Sequence, residues 1–533
     1  MNVPWSDAAG EAFGADWLLA ALAPAGDFGR RARERERAFR AGDEAAARAA
    51  LARVDRLARA LDAGRLHALR DAIAAAPDPA PALVRAQNGD VLGDVDFFEI
   101  ARFLDALATI AALATDDAFA DVALPVPDAV LHATLAPGVT AARTFYLDDA
   151  FAAELARSRG ESIARAAAFD AVRSALAERV ARFAGIEHVR DGEFVLMRDR
   201  VPGPLPPEIR VVREALTYLL CEIALDDTAL DALAARECAA AVVAEAEEGV
   251  RARLSADVSS SSGALLAACE LAGELDLLVG RALVAQRYAC CVPEVVNDAT
   301  LGFESARYLP LAAELADRGL AYTPISLTLD GAAILTGPNM GGKTAALRTA
   351  GFIVACVALG LPVPAAAARV PLISEIVWLG LGLGTAAERE GLSAFGAEVV
   401  ALRGFLDART PRPLVLADEF ARTTSPLEGR ALLVALLQTL AERHTLALAT
   451  THFDGVAEGA GVAHFALGGL RDIGIGHGKL DLRAALARIA HAMDYRLARV
   501  ESNAPAHSDA LALAQALGLD ETLVARARRA LMT

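Results

Sequence analysis

Three short stretches of this sequence combine residue types and spacings suited to phosphate chemistry. Gly337–Thr344 reads GPNMGGKT and fits the pattern G-x-x-x-x-G-K-[ST]. Glycines in such a loop let backbone N–H groups wrap phosphate oxygens, and the N-terminus of the following helix adds positive potential. Lys343 would then reach the β- and γ-phosphates of ATP, and the Thr344 hydroxyl would ligate Mg²⁺. Pro413–Glu419 (PLVLADE) is an apolar run ending in two acids. Asp418 is placed to hold Mg²⁺, and Glu419 to orient or deprotonate an attacking water. Thr450-Thr451-His452-Phe453 follows a third apolar run, where His452 can sense the γ-phosphate through a hydrogen bond.

The elements that must position these residues are legible around them. Ala332–Thr336 (AAILT), Pro413–Ala417 (PLVLA) and Thr445–Ala449 (TLALA) are short apolar runs separated by helical segments. That alternation predicts an α/β domain with a largely parallel sheet. Strand, phosphate loop, helix, strand with acid pair, strand with histidine is the order that ABC-type ATPases show. Lysine usage supports the loop. Of 52 basic residues only Lys343 and Lys479 are lysine, and one of the two falls inside the motif.

Upstream of about residue 295 the texture is helical. Asp27–Ala75, Phe145–Phe183 and Pro207–Arg253 show apolar residues at helical spacing. Gly185–Pro207 breaks the pattern, with a strand expected at Glu193–Val201, and Ser259–Gly263 (SSSSG) reads as a brief loop. The fold class expected is therefore multidomain: an all-α N-terminal half followed by an α/β P-loop ATPase domain.

Composition bounds the function classes. The chain has 533 residues, 55% apolar, and a formal net charge of −17. It is long enough for two to four domains with real cores. The acidic balance disfavours strong non-specific attraction to nucleic acid, although a local basic groove could survive it. Six scattered cysteines show no metal-ligand or redox spacing and read as thiols in a reducing cytosol. Met1–Gly10 lacks the apolar segment of a signal peptide. The uncharged stretch Thr349–Ala368 contains Pro362 and Pro364 and reads as a buried helix and turn, not a membrane span. The expectation is a soluble, cytoplasmic protein.

These motifs resemble the MutS family of DNA mismatch-repair ATPases. GPNMGGKT matches that family's phosphate loop at positions the general motif leaves free: Pro338, Asn339 and Met340. Leu361–Ala365 (LPVPA) resembles its turn after the first helix. Gly391–Glu398 (GLSAFGAE) resembles its signature and Asp418–Gly429 (DEFARTTSPLEG) its acid pair and following loop. The resemblance implies that Gly337, Pro338, Asn339, Met340, Gly341, Gly342, Lys343, Thr344 and Ala345 bind ATP. It further implies Mg²⁺ on Thr344 and Asp418, catalysis by Lys343, Glu419 and His452, and Ser393 completing the site of a partner subunit in trans. The implied assembly is a homodimer, or a pair with another MutS-like subunit. Residues 1–295 would be a helical core and lever with a short clamp-like insertion near 185–212. Residues 296–533 would be the ATPase domain with a C-terminal helical dimerisation segment. The basic helix Leu523–Met532 fits that segment or a solvated helix end.

Departures from the family pattern shape the functional expectation. Residues 1–295 leave no room for the two further domains of mismatch readers. Phe97-Phe98-Glu99 lies in an amphipathic helical pattern, with Phe98 and Phe103 expected to face a core. Charges in the clamp-like stretch roughly cancel: Arg190, Arg198, Arg200 and Arg210 against Glu187, Asp191, Glu193, Asp199 and Glu208. Ala421 and Thr423 stand where the family has glycines, and Gly384–Gly391 lacks a recognisable acidic pair. Tyr322 is the aromatic residue just upstream of the loop, open to adenine stacking or to ordinary packing. Two readings follow. One is a clamp-forming ATPase on duplex, branched or recombination DNA without mismatch reading. The other is a reactivating chaperone of an adenosylcobalamin-dependent lysine 5,6- or ornithine aminomutase, as in one truncated MutS-like branch.

Overall fold

The computed structural model describes residues 2–187, 189, 193–201, 203–338, 342–380, 393–470, 492–501, 503 and 510–531. The chain forms two compact units, neither contiguous in sequence. The first comprises 1–75, 110–124 and 270–533; the second comprises 76–109 and 125–269.

The second unit is mostly helical, with strands β1 (Glu193–Met197), β2 (Ile209–Glu214) and β3 (Tyr218–Ile223). They form an antiparallel sheet in the order β1-β3-β2 over a small core of Phe194, Leu196, Ile209, Leu219, Cys221 and Val180. The expected strand at 193 is present. The all-α reading of the N-terminal half and the helical reading of Pro207–Arg253 are corrected: 209–223 is a hairpin, and helix begins at Asp227. The β3 segment YLLCEI sends Leu219 and Cys221 into that core on alternate positions, a period of two that suits a strand.

Ser259–Gly263 is not a loop but lies inside the helix Asp227–Arg287. Its serines bond back to the preceding turn: Ser260 Oγ donates to the Asp257 carbonyl at 2.7 Å and Ser262 Oγ to that of Ser259 at 2.6 Å. Local bonding of this kind lets serine sit inside a helix that propensity alone would break. In the helix Asp94–Leu113 the core-facing pair is Phe97 and Phe103, both fully buried, rather than Phe98. Phe98 is half-buried, with the Arg102 guanidinium 6.0 Å from its ring.

The first unit is built on two sheets. Strands β4 (Glu294–Val296), β5 (Leu301–Ala306), β6 (Ile325–Leu329) and β8 (Ala367–Pro371) form one, in the order β4-β8-β5-β6. The other comprises β7 (Ala332–Thr336), β9 (Glu375–Gly380), β10 (Pro413–Asp418), β11 (Leu446–Thr450), β12 (Ala463–Leu470) and β13 (Met493–Val500). Its order is β13-β12-β7-β11-β10-β9; all neighbours are parallel except β13, which runs antiparallel to β12. Strands β7 and β11 are buried at every position, as expected of parallel strands covered on both faces.

The uncharged stretch from Thr349 is the end of the buried helix Lys343–Ala358, followed by a turn into β8. No helix among the described residues is long and apolar enough to cross a membrane. The N-terminal segment braces this helix. The Ile376 N–H donates to the Pro4 carbonyl at 2.7 Å, so the chain start lies along the β9 edge. Phe13, fully buried and edge-on to Trp5, packs on Gly351 so closely that a Cβ there would lie 3.0 Å from its ring and Cβ.

Because Phe13 is a large side chain pressed on the helix that carries Lys343, Phe13→Ala should destabilise the first unit by about 3–5 kcal/mol. The expected readout is a lower midpoint of thermal unfolding, with Phe13→Leu retaining most of the wild-type value.

Candidate functional site

The C-terminal ends of β7, β10 and β11 bring the three sequence stretches together. Parallel neighbours in register place Asp418 of β10 opposite Thr450 of β11 and Gly380 of β9. Gly380 is needed there: a Cβ would approach the Asp418 carbonyl oxygen to 2.6 Å, at a φ of 154°.

After β7 the chain passes through Gly337 and Pro338; Asn339, Met340 and Gly341 lie outside the described residues. Gly342 caps the helix Lys343–Ala358 in a left-handed conformation, φ 96°, that favours glycine. Lys343 is 6% exposed, and its Nζ donates to the Gly337 carbonyl at 2.9 Å and stands 3.6 Å from Glu419 Oε1. Burial lowers its pKa, and the Glu419 carboxylate opposes that shift.

The Asp418 carboxylate accepts from two hydroxyls. Thr344 Oγ1 donates to Oδ2 at 2.9 Å and Thr450 Oγ1 to Oδ1 at 2.8 Å. Thr450 Oγ1 also accepts the Glu419 N–H at 3.0 Å, so one hydroxyl fixes both acids. Glu419 has a left-handed φ of 52°, which turns its side chain back towards the loop. Its other oxygen, Oε2, accepts from Arg422 Nη1 at 2.5 Å. Thr344 and Asp418 form a hard oxygen pair that fits Mg²⁺, a cation that keeps waters and phosphate oxygens in its remaining positions. No group of three or more His, Cys, Asp or Glu suited to a metal occurs among the described residues.

His452 is exposed at the tip after β11, its ring 4.5 Å from that of buried Phe453. Thr451 N–H, just before it, donates to the Leu335 carbonyl of β7 at 3.3 Å. Ser393 is exposed and caps the helix Ala394–Ala408, accepting from the Gly396 N–H at 3.2 Å. Ala345 lies half-buried in the first turn of the phosphate-loop helix. The Gly384–Gly391 stretch lies outside the described residues.

Several residues at this site have roles that the motifs did not assign, although Thr450, Arg422 and Glu398 lie inside the quoted stretches. Thr450 is the first; its place after an apolar strand resembles any strand end. Arg422 is the second. Glu398 is the third: 4% exposed on the helix that Ser393 caps, it accepts the Ala421 N–H at 2.9 Å. Ala421 holds a left-handed φ of 62° where a glycine would be unstrained. His464 is the fourth; its Nε2 is 2.8 Å from Thr336 Oγ1, beside Gly337, and burial lowers its pKa. Tyr495 of β13 packs on Gly342, 3.3 Å from where a Cβ would stand. Tyr322 instead accepts the Tyr308 N–H on its hydroxyl at 3.1 Å.

In the second unit, Arg198 and Arg210 of the clamp-like stretch are ion-paired with Glu214 and Glu222. Neither partner is among the acids set against these arginines in the sequence; of that set, Glu208 pairs instead with Arg179.

Thr450→Val should leave the strand intact while removing the hydroxyl that Asp418 and the Glu419 N–H share. Mg²⁺ titration of nucleotide hydrolysis should show a half-saturating concentration raised about 10–100-fold. An unchanged Mg²⁺ requirement would show that this hydroxyl does not set the Asp418 geometry.

Comparison with known proteins points the same way. A family model described as MutS domain V matches residues 333–532. The chain is 32% identical over 408 residues to the endonuclease MutS2 of Anaeromyxobacter sp. (strain Fw109-5), covering 72% of this chain and 47% of that protein. It is 30% identical over 262 residues to the endonuclease MutS2 of Fusobacterium nucleatum, covering 48% and 30%. It is 33% identical over 204 residues to the DNA mismatch repair protein MutS of Granulibacter bethesdensis, covering 38% and 22%. Each match spans less than half of the relative's own length.

Proposed function

Because this chain belongs to the MutS family, we propose that it binds and hydrolyses ATP at the Lys343–Asp418–Glu419 site and uses the cycle to open and close a DNA clamp. The observation that carries the reading is the convergence on Asp418 of the phosphate-loop hydroxyl Thr344 and the strand-end hydroxyl Thr450. Two donors from different elements hold that carboxylate in one place beside the phosphate-loop helix.

In this reading the backbone N–H groups of Gly337–Ala345 and the Lys343 ammonium bind the β- and γ-phosphates. Thr344 and Asp418 hold Mg²⁺, which neutralises charge developing on the phosphate oxygens. Glu419 orients the attacking water and takes its proton; Arg422 and Lys343 keep the carboxylate aimed at the loop. His452, on the adjacent strand tip, reads the γ-phosphate. Tyr495, lying on Gly342, is a better placed aromatic flank for the nucleotide than Tyr322. Ser393, exposed on its helix end, serves the nucleotide of a second subunit in a dimer. Glu398 on the same helix holds the loop after Glu419, which links the two sites mechanically.

Relatives named as an endonuclease and a DNA mismatch repair protein favour DNA as the client. The ion-paired arginines of the clamp-like sheet favour the second reading, a protein client such as the aminomutase. One experiment separates them. Lys343→Ala should abolish ATP binding; Glu419→Gln should bind ATP normally and slow turnover by at least about 100-fold. ATP-loaded Glu419→Gln protein, titrated by fluorescence anisotropy against homoduplex, mismatched and branched DNA, should bind submicromolar and weaken as salt rises. Wild-type turnover in Glu419→Gln would remove the base assignment. No DNA binding at low salt would transfer the proposal to a protein client.

A further inference from the structure

The antiparallel pair at one edge of the large sheet, β12 and β13, lies against both ends of the phosphate loop. At the start of the loop, a Cβ on Gly337 would stand 2.9 Å from the Cβ of Leu467 in β12. At the end, a Cβ on Gly342 would stand 3.3 Å from the ring of Tyr495 in β13. A third side chain reaches the residue just before the loop. Thr336 and His464 of β12 are each 3% exposed, and the His464 Nε2 lies 2.8 Å from Thr336 Oγ1. Pairing of β12 with β7 on one side and with Val500 of β13 on the other places this histidine between them.

The two ring contacts define its tautomer. Nδ1 stands 3.1 Å from the Glu501 carbonyl oxygen, directly after β13, and a carbonyl can only accept. Nδ1 therefore carries the proton. In the neutral ring that burial favours, Nε2 is then an acceptor, and the Thr336 hydroxyl donates to it. The imidazole is a bridge of fixed polarity, from the Thr336 hydroxyl through the ring to the Glu501 carbonyl. Thr336 leads straight into Gly337, whose carbonyl accepts from Lys343 Nζ at 2.9 Å. A shift of Thr336 would carry that carbonyl with it, and so the ammonium that must meet the phosphates.

We infer that His464 is a positioning residue for nucleotide binding, anchoring the start of the phosphate loop to the chain after β13. This role rests on the nucleotide site proposed above. The acids of that site are fixed separately. Thr344 and Thr450 hold Asp418, and Thr450 and Arg422 hold Glu419. Loss of the bridge therefore weakens ATP binding while the turnover of bound ATP is nearly preserved.

Four substitutions in the full chain test the bridge. His464→Asn keeps an N–H donor near the Nδ1 position and removes the Nε2 acceptor. His464→Gln brings an amide oxygen to the Nε2 position instead. Thr336→Val removes the hydroxyl at constant shape, and Thr336→Ser keeps it. ATP affinity is read with a fluorescent analogue, KM and kcat from steady-state hydrolysis, and folding from thermal unfolding. His464→Asn and Thr336→Val should each raise Kd and KM about 3–10-fold, with kcat within about twofold of wild type. His464→Gln and Thr336→Ser should stay within about twofold in Kd, because each keeps the bond to Thr336 or its hydroxyl. The double variant His464→Asn with Thr336→Val should bind no more weakly than either single one, since both remove the same bond. Unchanged Kd in His464→Asn and Thr336→Val, equal damage in Thr336→Ser, additive losses, or a fall in kcat matching the rise in KM would overturn the role. If His464→Asn fails to fold, Thr336→Val against Thr336→Ser decides alone. Wild-type protein that binds no ATP would instead remove the nucleotide site, and the bridge's role with it.

Discussion

The Asp418 carboxylate is the point on which the C-terminal half of the molecule converges. One of its oxygens is bonded by the first turn of the phosphate-loop helix, through Thr344, and the other by the end of β11, through Thr450. Those hydroxyls meet only if β7, β11 and β10 are in their observed parallel register and the helix starts at Lys343. A slip of one residue between strands would turn Asp418 to the opposite face. The apolar runs AAILT, PLVLA and LALAT thus do more than fill a core. Their burial on both faces fixes the register that aligns the site.

The rest of the first unit is arranged around keeping that helix in place. At its middle, Phe13 presses into Gly351. At its end, the carbonyls of Ala358 and Leu359 are taken by the Phe39 N–H and by Arg281. Residues from the start of the chain and from the long helix before β4 are therefore part of the same unit as the phosphate loop. The Ser393 helix is tied in by Glu398, whose buried carboxylate holds the strained Ala421. Alanine at a left-handed φ costs about 1 kcal/mol relative to glycine. That cost, together with the Glu398 bond, makes the loop after Glu419 a stiff connection.

Much of the phosphate-binding end was legible in the sequence because its requirements are local. A Gly-rich loop between an apolar strand and a helix, and acids at a strand end, are spacings along one chain segment. What was not legible depends on tertiary position. Thr450 acts because β10 and β11 are neighbours, His464 because β12 lies beside β7, and Tyr495 because β13 returns over Gly342. The 209–223 hairpin was hidden by apolar residues that suited a helix as well as a strand. SSSSG was misread because serine's back-bonding within a helix looks, in sequence, like a loop. The packing of the first 75 residues with the C-terminal sheet leaves no periodic trace in sequence.

Spectroscopy of bound Mn²⁺, replacing Mg²⁺, tests most directly whether Asp418 is the metal post. Electron paramagnetic resonance should count one tightly bound Mn²⁺ per chain when ATP is present. That ion should be lost without ATP, in Asp418→Asn, and in Lys343→Ala. Equal Mn²⁺ binding in Asp418→Asn and wild type, or tight binding that ignores ATP, would contradict the account.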